Sequence, residues 1–244
     1  MWVRPYRAWG ETPRLEPEVR SSASSGCTSA SPHCIVERMP LDAPLLQGRH
    51  VRLEPLELRH AAGLAAASAV DPSLYQWSPI PRGELEAARY IATALEWYAA
   101  GRAVAFATVR VTDGVVIGST RFFDLERWAW PEGHALHGRA APDACEIGYT
   151  WLTRSAIRTP ANTEAKLLML TYAFETWQVL RVCLHTDVRN LRSRAAIERI
   201  GGQFEGILRA HRMAADYIPR DSARYSIIAS EWPAVKRRLL QMIG

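Results

Sequence analysis

Between Glu164 and Gln178 the chain reads EAKLLMLTYAFETWQ, a helix with almost no polar face. Ala165, Leu167, Leu168, Met169, Leu170, Ala173, Phe174 and Trp177 leave only a narrow stripe of Glu164, Thr171, Glu175 and Gln178. A helix this apolar must be buried around most of its circumference, which packing across a sheet provides. A strand, ACEIGYTWL over 144–152, runs into it through the polar turn RTPANTEA. The first-turn N–H groups of a helix lack intrahelical acceptors, so this turn has two readings. Asn162 or Thr163 caps the helix, or the free N–H groups receive an anion.

The rest of the chain reads as further strands and helices around that unit. HVRLEPL is a first strand, and helices follow near 59–70 and 83–100, joined by the loop DPSLYQWSPIPRG. RAVAFATVRV and VVIGSTRFFDL flank Thr112-Asp113-Gly114, an Asp-Gly hairpin signal. Residues 126–143 form a long loop with Trp128, Trp130, His134 and His137, read as a lid or a surface insertion. RVCLHTDV is a strand, and a helix from Asn190 stops at Gly201-Gly202. QFEGILRAHRMA and ARYSIIAS close the sheet as an antiparallel pair, and EWPAVKRRLLQMI is a terminal amphipathic helix. The fold class is α/β (α+β): a mixed, mostly antiparallel twisted sheet with helices on both faces. No GxGxxG follows the first strand, which excludes a Rossmann reading.

At 244 residues and 48% hydrophobic composition the chain supports one large domain with a sizeable core. Residues 1–44, rich in Pro, Ser and scattered charge, read as a disordered extension, and 45–244 as the domain. The net charge of +5 is carried by arginine, with Lys166 and Lys236 as the only lysines, and favours anionic ligands. Cys27, Cys34, Cys145 and Cys183 show no CxxC pair and read as reduced thiols of a cytoplasmic protein. A Cys27/His33/Cys34 metal site has no supporting pattern, so no metal is expected. No apolar run approaches the roughly 18 residues of a membrane helix, and the start of the chain lacks a secretory apolar core.

The element order and three motifs resemble the GNAT acetyltransferase superfamily, nearest its RimJ/RimL-type branch. The motifs are EIGYTWL from Glu146, RTPANTEAKLLML from Arg158 and TDVRNLRSRAAIERIGG from Thr186. The resemblance implies acetyl-CoA as donor and an amine acceptor, a protein N-terminus or a small molecule; a homodimer is compatible with it. It implies that Tyr149, Thr150, Trp151 and Leu152 pair with the pantetheine arm. It places the pyrophosphate on Arg158, Thr159, Ala161, Asn162 and Thr163, with Asn190 beside the pantetheine, unless it is only an N-cap, and Ser193 near the thioester sulfur; Arg194, with Arg189 and Arg192, reads as a phosphate contact or a solvated face.

Alternation along the first motif places Glu146, Gly148 and Thr150 on one face, and Ile147, Tyr149 and Trp151 on the other. A base must take the amine proton, and the resemblance makes Glu146 the first candidate, its other reading being a salt bridge with an arginine; Asp124 and His211 stand behind it. Backbone N–H near Tyr149 is the expected oxyanion donor. Tyr75 and Trp77 either pack on the acceptor or seal the core, and Phe122 is expected at the acceptor. Two departures from the family pattern stand out: Pro160 where glycine is usual, and Ile197–Ile200 where a tyrosine acid often lies, leaving Ser193 or water to protonate sulfur. Two other readings follow from these features. One is a non-catalytic acyl-CoA-binding domain; the other, on charge alone, is a nucleic-acid binder.

Overall fold

Alternation, turn residues and the one very apolar helix decide most of the architecture. The computed structural model describes residues 41–78, 80–214 and 218–244. The expectations for residues 1–40, including Cys27, His33 and Cys34, lie outside the described residues.

The strands are β1 Leu46–Gln47, β2 Val51–Pro55, β3 Ala103–Arg110, β4 Val116–Glu126, β5 Ala144–Leu152, β6 Arg181–Asp187, β7 Gln203–Met213 and β8 Pro219–Ile228. The α-helices are α1 Ala61–Ala69, α2 Gly83–Ala99, α3 Ala161–Thr171, α4 Leu191–Arg199 and α5 Trp232–Ile243. One sheet runs in the order β1-β2-β3-β4-β5-β6-β8-β7. Every neighbouring pair is antiparallel except β5 and β6, which are parallel. The two-residue β1 was too short to read from sequence. β8 begins before the expected Ala223, because its first residues pair with Arg212 and Met213 of β7.

Two apolar layers cover the sheet. On one face α3, α4 and α5 contribute to a core with Phe106, Phe122, Ile147, Met169, Leu170, Trp177 and Tyr225. On the other, α1 and α2 pack Leu64, Ala87 and Ile91 against Ala105, Ala107 and Trp151. Helix α3 is buried as expected and passes into one π turn over Tyr172–Thr176. Glu175 in that turn accepts from Trp232 Nε1 at 2.8 Å and Lys236 Nζ at 2.6 Å, which fixes α5 alongside.

Glu164 departs from the expected polar stripe. It is 3% exposed, and its carboxylate accepts the backbone N–H groups of Arg49, His50 and Val51 at 2.8, 2.6 and 2.7 Å. The chain entering β2 is thereby tied to the first turn of α3. Gly48 admits the carboxylate, since a Cβ there would lie 2.5 Å from Glu164 Cδ.

Among the described residues no helix is long and apolar enough to cross a membrane, and no group of three or more His, Cys, Asp or Glu is placed to hold a metal.

Candidate active site

The site is organised by an irregularity in β5. Phe122 pairs with Ile147 and Arg121 with Gly148, but the next pair is Ser119 with Trp151. Thr120 therefore faces two residues, Tyr149 and Thr150, in a β-bulge. Tyr149 takes φ 50°, uncommon for a residue with a Cβ. The extra residue reverses the alternation read from sequence. Tyr149 joins the face of Glu146, edge-on to Phe123 at 5.0 Å and Trp97 at 5.7 Å. Thr150 turns to the opposite face, where Lys166 Nζ of α3 donates to its hydroxyl at 2.6 Å. Gly148 keeps the bulge close to β4, because a Cβ would come within 2.8 Å of the Phe123 ring.

From Ile147, just before the bulge, β5 and β6 part. Their parallel pairing covers only Ala144–Glu146 with Arg181–Cys183, so Ile147 onward has no β6 partner. At the far end of the gap lies the start of α3. Its N-cap is Pro160, and no side chain caps it. The capping expected of Asn162 or Thr163 does not occur, since both lie inside the first turn. Thr163 Oγ1 instead accepts from Arg199 at 3.0 Å. Thr159 Oγ1 takes the Ala161 N–H at 3.3 Å. The N–H groups of Arg158, Thr159, Asn162 and Thr163 make no hydrogen bond to the described residues. Arg158, in the left-handed region at φ 62°, turns the chain into this position. Four open donors flanked by Arg158 and Arg199 at a helix N-terminus fit a pyrophosphate. Arg199 was not legible in the sequence, because it arrives from the last turn of α4.

Helix α4 borders the gap. Asn190 caps it, its Oδ1 accepting the Ser193 N–H at 3.0 Å, which leaves the Asn190 amide nitrogen for other partners. Arg194 is not free for a phosphate: its Nε donates to Tyr225 Oη at 3.0 Å. Arg189 pairs with the buried Asp187 at 2.7 Å and lies 4.4 Å over the Trp77 ring, while Arg192 donates to Leu74 O at 2.9 Å. The loop between α1 and α2 is thus braced to α4.

The acceptor-side expectations divide. Trp77 is partly exposed at this brace. Tyr75 is an interior residue, its hydroxyl donating to Leu152 O at 3.0 Å and its ring edge-on to Trp151. Phe122 cannot meet a substrate: it is 0% exposed in the other core, 4.7 Å from Trp177. The neighbouring Phe123 faces the site instead.

Next to the bulge Glu146, Asp124, His185, His211 and Arg212 line a cavity of about 170 Å³. Glu146 is 4% exposed. Its Oε2 receives Arg212 at 3.0 Å, and His185 Nδ1 lies 2.9 Å away but out of line for a hydrogen bond. Arg212 also holds Asp124 at 2.7 Å. Burial, aided by Arg212 and His185, lowers His211 to about 4, so its imidazole is neutral at pH 7. Asp124 and His211, the lesser candidates, therefore share the cavity with Glu146. His185 and Arg212 were missed, since strand pattern gives no signal for side chains that converge from β6 and β7.

The loop 127–143 is folded on itself. Asp143 accepts from Trp128 N at 2.7 Å, Trp130 Nε1 at 2.9 Å and Arg139 Nε at 3.0 Å. Burial opposes its charge, but these bonds prevail and hold the carboxyl below its ordinary range.

Known proteins carry the same arrangement of elements. Residues 50–203 match the family described as the acetyltransferase (GNAT) domain. A Bacillus subtilis (strain 168) protein, YdaF, named among ribosomal N-acetyltransferases, is 35% identical over 91 residues, 37% of this chain and 49% of that protein. The chain thus matches about half the length of that curated relative. The crystal structure of a GCN5-related N-acetyltransferase from Brucella melitensis superposes with a TM-score of 0.72 at 29% identity, covering 85% of this chain and 89% of that one. A T. thermophilus protein described as an acetyltransferase gives 0.68 at 32% identity, covering 84% of this chain and 100% of that one. With its parted parallel strands, its bulge and a family match across more than half its length, this chain belongs to the GNAT acetyltransferase family.

Proposed function

We propose that this protein is an acetyl-CoA-dependent N-acetyltransferase acting on a primary amine, either a protein N-terminus or a small-molecule amine. The observation that carries the reading is the gap between β5 and β6, with open N–H donors at one end and the Glu146 cavity at the other. Acetyl-CoA supplies an acyl group activated as a thioester. The residues at the start of α3 bind its phosphates, and the unpaired edge of β5 receives its arm. The amine nitrogen bonds to the acyl carbon, the C–S bond breaks with its electron pair going to sulfur, and sulfur gains a proton. Glu146 takes the proton the amine loses, directly or through water. The α4 positions where a tyrosine acid often lies hold none, so water or Ser193 returns the proton to sulfur. The test is thiol release from acetyl-CoA with a panel of amines and N-terminal peptides.

A second reading, a binding domain without turnover, is favoured by Pro160 and by the missing tyrosine. In that case acetyl-CoA binds and no amine in the panel releases thiol. The arginines of α4 give little support to nucleic-acid binding, since Arg189, Arg192 and Arg194 are engaged within the fold.

Pro160 gives a separate prediction. It lacks an N–H at the helix start, with φ −61° and ψ −17° that glycine can also adopt. One hydrogen bond to a charged group contributes about 1.5–3 kcal/mol, against roughly 0.4–1 kcal/mol for the added freedom of glycine. Pro160→Gly is expected to tighten acetyl-CoA binding by on the order of tenfold in calorimetric titration. Equal or weaker binding would show that the remaining donors already meet the phosphates.

A further inference from the structure

The bulge lies between two buried basic side chains that no carboxylate among the described residues neutralises. On the α3 face Lys166 is 5% exposed, with Nζ 2.6 Å from Thr150 Oγ1 and 3.3 Å from Thr120 Oγ1. Among the described residues no acid faces it. β4 presents Thr120, β5 presents Thr150, and Glu164 of its own helix turns to the backbone of 49–51. On the α2 face Arg121 is 2% exposed. Its guanidinium lies 4.2 Å from the ring centre of Tyr149, 4.8 Å from that of Tyr90 and 5.5 Å from that of Trp97. It makes no ion pair among the described residues, and Nε has no hydrogen-bond partner. Lys166 and Arg121 thus touch the three residues of the bulge, Thr120, Tyr149 and Thr150, from opposite sides.

Buried charges without a counter-ion oppose folding, and an apolar residue of similar volume in their place is often neutral or stabilising. The threonine hydroxyls and the aromatic rings offset part of that cost, yet among the described residues neither basic group meets a counter-ion that would balance it. Fixed positive potential in a dry site is what a reaction that builds negative charge requires. We infer that Lys166 and Arg121 are electrostatic positioning residues: they hold positive potential on both faces of the β4–β5 bulge, against which the acyl oxygen becomes anionic during transfer. This inference rests on the acetyl transfer proposed above.

Protonation separates the two. Burial lowers Lys166 from 10.5 to about 7, whereas a guanidinium stays charged. The contribution of Lys166 is therefore present at pH 6 and fades by pH 9, and that of Arg121 is constant. The unfolded chain binds more protons between about 7 and 10.5, so Lys166 opposes folding most at pH 7 and below, and least near 10.5.

The test compares the full chain with K166M, K166Q and R121M. K166Q keeps a donor for the two threonine hydroxyls without the charge. Both Lys166 variants should melt at or above the wild-type temperature and bind acetyl-CoA within about threefold. At pH 6.5 they should lose on the order of tenfold or more in kcat. The wild-type to K166M ratio of kcat/KM should shrink from pH 6 to pH 9, while the deficit of R121M stays level. Because the chain has only two lysines, Nζ magnetic resonance should resolve Lys166 titrating at about 7. Transfer by the wild type with unchanged kcat in both Lys166 variants would overturn the inference. So would a lost kcat accompanied by a lower melting temperature and lost acetyl-CoA binding, which marks a structural lysine. A wild type that transfers to no amine in the panel overturns the proposed function itself, and this inference with it.

Discussion

Glu146→Gln should lower turnover at pH 7 by roughly 100-fold or more, while acetyl-CoA binding stays within a few-fold. The substitution keeps the volume of a side chain that is 4% exposed while removing its negative charge and its capacity to accept a proton. Arg212 retains Asp124 as a partner at 2.7 Å, so no guanidinium is stranded. An alkylammonium is mostly protonated at pH 7, and the loss should shrink as pH rises and neutral amine becomes available. Steady-state rates from pH 7 to 9.5 measure both effects. A rate unchanged at pH 7 would remove Glu146 from the chemistry and pass the duty to the neutral His211 in the same cavity.

Glu164→Ala should produce the largest loss of stability. Three backbone N–H groups converge on its carboxylate, and hydrogen bonds to a charged group contribute about 1.5–3 kcal/mol each without adding fully. Alanine leaves all three donors buried or half-buried without an acceptor, and a destabilisation of about 3–5 kcal/mol is expected. For a domain of this size that is a fall in Tm of roughly 10–15 °C. Glu164→Gln keeps one acceptor oxygen and should lose about half as much. Calorimetric melting of the three chains decides. A Tm within about 2 °C of wild type for the alanine variant would mean that the 49–51 backbone finds water instead.

The fold was legible because its signals are local. The period of α3, the Asp-Gly hairpin at 113–114 and the glycine stop at 201–202 act within a few residues, and the structure places elements where they fall. The site was legible only in outline. Glu146 and the start of α3 lie on the strand–turn–helix unit that the sequence singles out. Thr150 and Tyr149 were assigned to exchanged faces because a bulge depends on pairing with β4, which alternation along β5 does not encode. The same blindness selected Phe122 over Phe123: both are aromatic, and only register tells which one points to the face of Tyr149 and Arg212. Arg199, His185 and Arg212 come from elements that are neighbours in space alone.

The seam between β5 and β6, closed over only three residue pairs, bears on how the domain opens. A sheet loses backbone protection first at its outer edges, where ladders end. Here a ladder also ends in the middle, from Ile147 to Leu152, so the amide hydrogens of that stretch that face β6 join the rapidly exchanging class. The stability map of the domain is therefore two well-protected halves, β1 to β5 and β6 to β8, separated by a soft line. A ligand that spans the seam supplies the missing ladder, and slower exchange along β5 would report its arrival without any turnover being measured.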